Sequence, residues 1–106
     1  MAAKGTVTIA NGAATSGALY TGGSSVVTLL FPDMTSASCT VQVSRDGSTF
    51  KTVGNENGDL KILAPANRAV ALDPIWTLGV NFVKVVAVGN EGAERAIDVV
   101  FENYLT

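Results

Sequence analysis

Apolar and polar residues alternate with period two along most of this chain, and the alternating runs end at glycine, proline, asparagine or aspartate. Such runs predict half-buried β-strands, whose successive side chains point to opposite faces. Thr6-Val7-Thr8-Ile9 is the first, closed by Asn11-Gly12, a pair that tolerates the positive φ of a tight turn. Ala18-Leu19-Tyr20 is a short second run before Gly22-Gly23. Ser24 to Phe31 is apolar on both phases and stops at Pro32-Asp33, which predicts a central strand covered on both sides. The clearest hairpin follows. Cys39, Val41 and Val43 share one face and Thr40, Gln42 and Ser44 the other, then Asp46-Gly47 turns the chain into Ser48–Val53. Leu60–Ile62 and Val70–Leu72 are short strands, Asp73-Pro74 caps one helical turn over Ile75–Leu78, and Val80–Val88 and Ala93–Phe101 form a last pair across Gly89–Gly92.

About eight strands with no longer amphipathic helix predict an all-β fold, a single antiparallel β-sandwich or jelly roll. The phasing puts Val27, Leu29, Phe31, Val41, Val43, Phe50, Ile62, Val70, Leu72, Phe82, Ile97, Val99 and Phe101 inside. At 106 residues the chain reads as one domain, 1–106, with residues 1–23 as a partly extended N-terminal arm.

Composition narrows the chemistry. There is no histidine, the commonest general base and metal ligand, and a single Cys39 excludes an internal disulfide and a Cys-rich zinc site. No nucleophile, base and orienting group can be named together, so the expected protein is not an enzyme and has no metal or cofactor. Seven Lys and Arg against nine Asp and Glu, without a basic cluster, exclude nucleic acid as a partner. The chain shows no signal-peptide core, and Val80–Val88, interrupted by Asn81 and Lys84, is too short to cross a membrane. Apolar residues make up 47% and charged residues 15%, against about 25% charged in ordinary soluble domains, so part of the apolar surface is expected to meet a partner.

Asn55–Asp59 gathers carboxylates and amides around a glycine but lacks a full calcium-loop signature, and reads as a solvated turn. Asp33, Asp73, Glu91, Glu94, Asp98 and Glu102 read as surface charge, and Cys39 as a buried, unreactive thiol. Trp76 either plugs one end of the sandwich or projects as an anchor. Leu19, Tyr20, Gly22, Gly23, Trp76 and Tyr104 are the interface candidates: glycines permit close approach in the small-residue stretch Ala14–Ser25, and the bulky groups supply contact area.

"VQVSRDGSTFKTV", "LKILAPANRAVALDPIWTLGVNFVKVVAV" and "AERAIDVVFENYL" resemble the small structural proteins encoded in tailed-phage head and tail modules. The shared elements are Ser44, Asp46, Gly47 and Phe50 at a strand end, the Ala71–Pro74 turn and the Phe82–Val85 strand, over roughly residues 15–101. The resemblance implies a virion protein made in the host cytoplasm, a capsid decoration (cement) protein that binds the major capsid protein on the capsid exterior as a dimer or trimer. The alternative is a carbohydrate-binding sandwich on a tail or fibre, with Tyr20, Trp76 and Tyr104 stacking on sugar rings.

Overall fold

The computed structural model describes residues 2–103; Tyr104 lies outside them. The strands are β1 (Ala2–Ile9), β2 (Leu19–Tyr20), β3 (Ser25–Leu30), β4 (Ser38–Ser44), β5 (Lys51–Thr52), β6 (Gly54–Asn55), β7 (Gly58–Asp59), β8 (Lys61–Leu63), β9 (Ala69–Ala71), β10 (Phe82–Ala87) and β11 (Arg95–Glu102), with one 3₁₀ turn at Pro74–Trp76. They form a sheet ordered β1-β11-β3-β9, a second ordered β2-β10-β4-β5 with β8 also on β4, and the small β6-β7 hairpin. All pairings are antiparallel. The fold is a β-sandwich, as the alternation predicts.

Val7, Ile9, Val26, Leu29, Phe31, Met34, Cys39, Val41, Val53, Ile62, Leu72, Val83, Val85, Ala87, Ile97 and Val99 fill the space between the sheets. Val43, Val70 and Phe101 pack against them from the rim.

Val27, Phe50 and Phe82 depart from the expected core. In β3, Thr28 faces Val100 and Val26 faces Phe101, so Val27 is an extra residue, a β-bulge. The bulge reverses the alternation, and Val26 and Leu29 both point inward while Val27 does not. In β10 the inward residues are Val83, Val85 and Ala87, which leaves Phe82, Lys84 and Val86 on the outer face. Lys84 shares parity with Phe82, so its charge lies on the same outward phase. Phe50 lies on the same outer face, its ring under the Lys84 ammonium at 4.1 Å.

The N-terminal stretch is built into the sandwich. β1 pairs residue for residue with β11 from Ala2↔Glu102 to Ile9↔Arg95, and Val7 and Ile9 are buried, so residues 2–9 are a strand rather than an arm. Residues 14–16 then run along the free edge of β10: Ser16 N–H donates to Val85 O (2.9 Å), Ala87 N–H to Ala14 O (2.8 Å), and Val85 N–H to Ser16 Oγ (2.9 Å). The small residues let this segment close an edge that would otherwise present unpaired backbone groups.

Candidate functional site

The Asp73-Pro74 signal forms the capped turn that the sequence predicts. Asp73 Oδ1 accepts the Ile75 N–H at 3.1 Å, Pro74 occupies the first position, and the turn runs over Pro74–Trp76. Thr77 fastens it to the sheet. Its Oγ1, fully buried, accepts the Val26 N–H at 2.7 Å, beside the bulge. This bond fixes where Trp76 sits: half-buried, packed against the core, with the rest of the indole in a cleft. Trp76 thus packs on the core as the plug reading expects and leaves part of its surface in the cleft.

That cleft, about 390 Å³, is lined by Trp76, Ile75, Asp73, Asn55 and Gly54. Ile75 is 74% exposed and forms an apolar lip. The far wall is Gly54 and Asn55, the first strand of the tight β6-β7 hairpin, whose turn is closed by the Asn57 N–H donating to Asn55 Oδ1 at 2.8 Å. Asn55 Nδ2 and Asp73 Oδ2 keep free hydrogen-bonding capacity among the described residues. Asp73 was readable from its place beside Trp76, but nothing local in the sequence ties Asn55, far away in the chain, to the same cleft. A second concavity of about 300 Å³ lies under the β4-β5 hairpin. There the Ser44 hydroxyl and Asp46 Oδ1 are engaged by the turn: Ser44 Oγ accepts the Gly47 N–H (2.9 Å), and Asp46 Oδ1 accepts the Ser48 and Thr49 N–H groups (2.8 and 3.0 Å). The Thr49 and Ser48 bonds, with that from Ser44, hold the Asp46 carboxyl at about 2.

The interface candidates separate. Leu19 and Tyr20 point to opposite sides of β2. Leu19 packs inward against the core, so close to Gly5 that a Cβ there would sit 2.8 Å from the leucine methyls. Tyr20 is 64% exposed and meets Phe82 edge to face at 5.2 Å. Gly22 and Gly23 have φ of 63° and 90°, and the turn they make bonds to Val80 and Asn81. Trp76 stands apart from Tyr20, in a different surface feature. Cys39 is buried, and burial, with a smaller contribution from the Glu91 carboxylate, pushes its thiol up to about 11. Among the described residues no three His, Cys, Asp or Glu side chains gather as metal ligands.

Glu91 is not the surface charge that its Gly89–Gly92 turn predicts. It is 1% exposed, and its carboxylate accepts the Thr35 N–H (2.8 Å), the Ser36 N–H (2.9 Å), the Ser36 hydroxyl (2.6 Å) and Arg95 Nε (2.9 Å). Burial alone would raise its pKa, but these bonds outweigh burial and hold the group at about 2.

No family model and no curated protein matches the chain. Among solved structures, the fold is similar to CBM32-1, a carbohydrate-binding module from a family 31 glycoside hydrolase of Clostridium perfringens, with a TM-score of 0.53 and 17% identity over 83% of this chain and 67% of that one. At that identity the likeness is one of fold.

Proposed function

We propose that this chain is a non-catalytic carbohydrate-binding β-sandwich module whose sugar site is the Trp76 cleft. The observation that carries the reading is the meeting of an indole, a free amide group and a free carboxylate oxygen in one open concavity. A sugar offers an apolar C–H face for the indole and hydroxyls for Asn55 and Asp73, and sites of this kind join an apolar wall to a few polar groups that set orientation. The likeness to a carbohydrate-binding module agrees with it.

Trp76 is the one tryptophan, so its emission reports on the cleft directly. Titration with a panel of neutral oligosaccharides is expected to shift that emission saturably for at least one member. Asn55→Ala and Asp73→Ala should each weaken the response about tenfold, each removing a hydrogen bond worth about 1 kcal/mol or more. A panel without any saturable response sinks the reading.

A second reading, a capsid decoration protein on a major capsid protein shell, rests on the sequence resemblance, and Leu63 and Val88, 63% and 71% exposed, would give such a contact apolar area. Saturating, stoichiometric occupancy of purified shells without any response to sugars would favour it.

A further inference from the structure

The outer face of the β2-β10-β4-β5-β8 sheet carries chemistry that the cleft does not use. Successive rows across its strands are Tyr20–Phe82–Ser44, Lys84–Gln42–Thr52 and Val86–Thr40–Lys61. Phe82 and Phe50 are absent from the core and stand on this face with Tyr20, so three of the seven aromatic residues are grouped on one exterior surface. Glycines make room for the rings. A Cβ at Gly47 would lie 3.1 Å from the Phe82 ring, and one at Gly22 3.3 Å from the Tyr20 ring.

Charge on the same sheet has one sign. The five strands hold three lysines and none of the chain's nine carboxylates, although the whole chain has a net charge of −2; Lys61 and Lys84 share the outer phase, Lys51 pairs with the inward Val43, and the Asp46 carboxylate of the β4-β5 turn bonds Ser44 at the end of the first row. Lys84 sits over Phe50 and Lys61 projects from the short edge strand β8; neither has a carboxylate partner among the described residues. Gln42, Thr40 and Thr52 lie between the rings and the lysines and add hydrogen-bonding groups.

We infer that this face binds an anionic polysaccharide, a chain bearing carboxylate or sulfate groups, with sugar rings on Tyr20 and Phe82 and acidic groups on Lys84 and Lys61. Adjacent rows on β10 are about 7 Å apart, so a ligand that touches both the rings and the lysines must be extended, as a polymer is. A second copy of this face would set lysine against lysine, which disfavours self-association through it. An acidic polypeptide meets the charge but has no repeating ring faces to lay on the aromatic pair. The inference shares the sugar-binding reading above but uses another surface, so the two can fail separately.

The test is binding of the full chain to polygalacturonate, measured by calorimetry beside its methyl-esterified, neutral form and poly-glutamate. Binding to the uronate that weakens as salt rises is expected, with little to either control. The double variant Lys61→Gln/Lys84→Gln should weaken it about tenfold and flatten its salt dependence, and Tyr20→Ser should weaken it at constant salt dependence. Trp76→Ala should leave it unchanged while abolishing the calorimetric binding of any neutral sugar that the parent binds. All but the tryptophan change are on the surface, and unaltered circular dichroism checks folding. The inference is overturned if the double lysine variant binds polygalacturonate as the parent does, if poly-glutamate binds equally well, which would mark an acidic protein as the occupant, or if Trp76→Ala removes uronate binding.

Discussion

Glu91 is a clamp made from one side chain. Three of its four contacts join residues 35–36 to the turn before β11, the fourth comes from Arg95 at the start of β11, and Ser36 Oγ also donates to the Gly89 carbonyl at 3.0 Å. A carboxylate this buried is tolerable because every acceptor position is used, and the Arg95 guanidinium neutralises it. Truncation to alanine leaves Arg95 and the Thr35 and Ser36 donors without their partner, and should destabilise the protein by about 3–5 kcal/mol in chemical denaturation. The pH dependence has a definite sign. Glu91 is held at about 2 when folded against an ordinary 4.5, so its contribution is complete above about 5 and is lost as pH falls toward 2. The gap in melting temperature between the parent and Glu91→Ala should therefore close over that interval; a gap independent of pH would mean that the carboxylate charge is not what matters.

Among the elements, the bulge in β3 and the 3₁₀ turn act as one device. Val27 as an extra residue breaks the regular ladder, the Val26 N–H goes to Thr77 Oγ1 instead, and the Leu72 N–H reaches the Val27 carbonyl at 3.0 Å. The turn that presents Trp76 is thereby tied to the centre of a sheet. Thr77→Val keeps the shape but leaves a buried N–H without an acceptor, a loss of about 1–3 kcal/mol. Its diagnostic readout is the Trp76 emission of the folded variant, which should move to longer wavelength as the indole loosens from the core. Unchanged emission together with unchanged stability would show that the Thr77 bond does not hold the turn. The Ser44-Arg45-Asp46-Gly47 turn is of the opposite kind, closed almost wholly by its own residues, and Gly47 meets its need for a φ of 82°.

At the scale of the whole molecule, the sandwich depends on contacts between residues far apart in the chain, and β1 with β11 is the most extended of its pairings. Removing residues 2–9 takes away eight paired positions and two buried side chains. Val7 and Ile9 alone are worth about 1.5–3 kcal/mol each, a large part of the 5–15 kcal/mol available to a domain of this kind. The truncated chain should lose its cooperative thermal transition in calorimetry, and a sharp transition at the parent temperature would show that β1 is dispensable. Much of this fold was legible in the sequence, because strand alternation, the Asp46-Gly47 hairpin, the Asp73-Pro74 cap and the burial of Cys39 are set by neighbours within a few residues. The sequence also singled out Trp76 and Tyr20, which the structure leaves half-buried in a cleft and 64% exposed. Tertiary structure alone decided which face Phe50 and Phe82 take, that Glu91 turns inward, and that Asn55 meets Trp76. Period two defines two faces without saying which is the inner one when both carry apolar groups; a single inserted residue such as Val27 reverses the phase, and a buried carboxylate depends on donors supplied from 55 residues away.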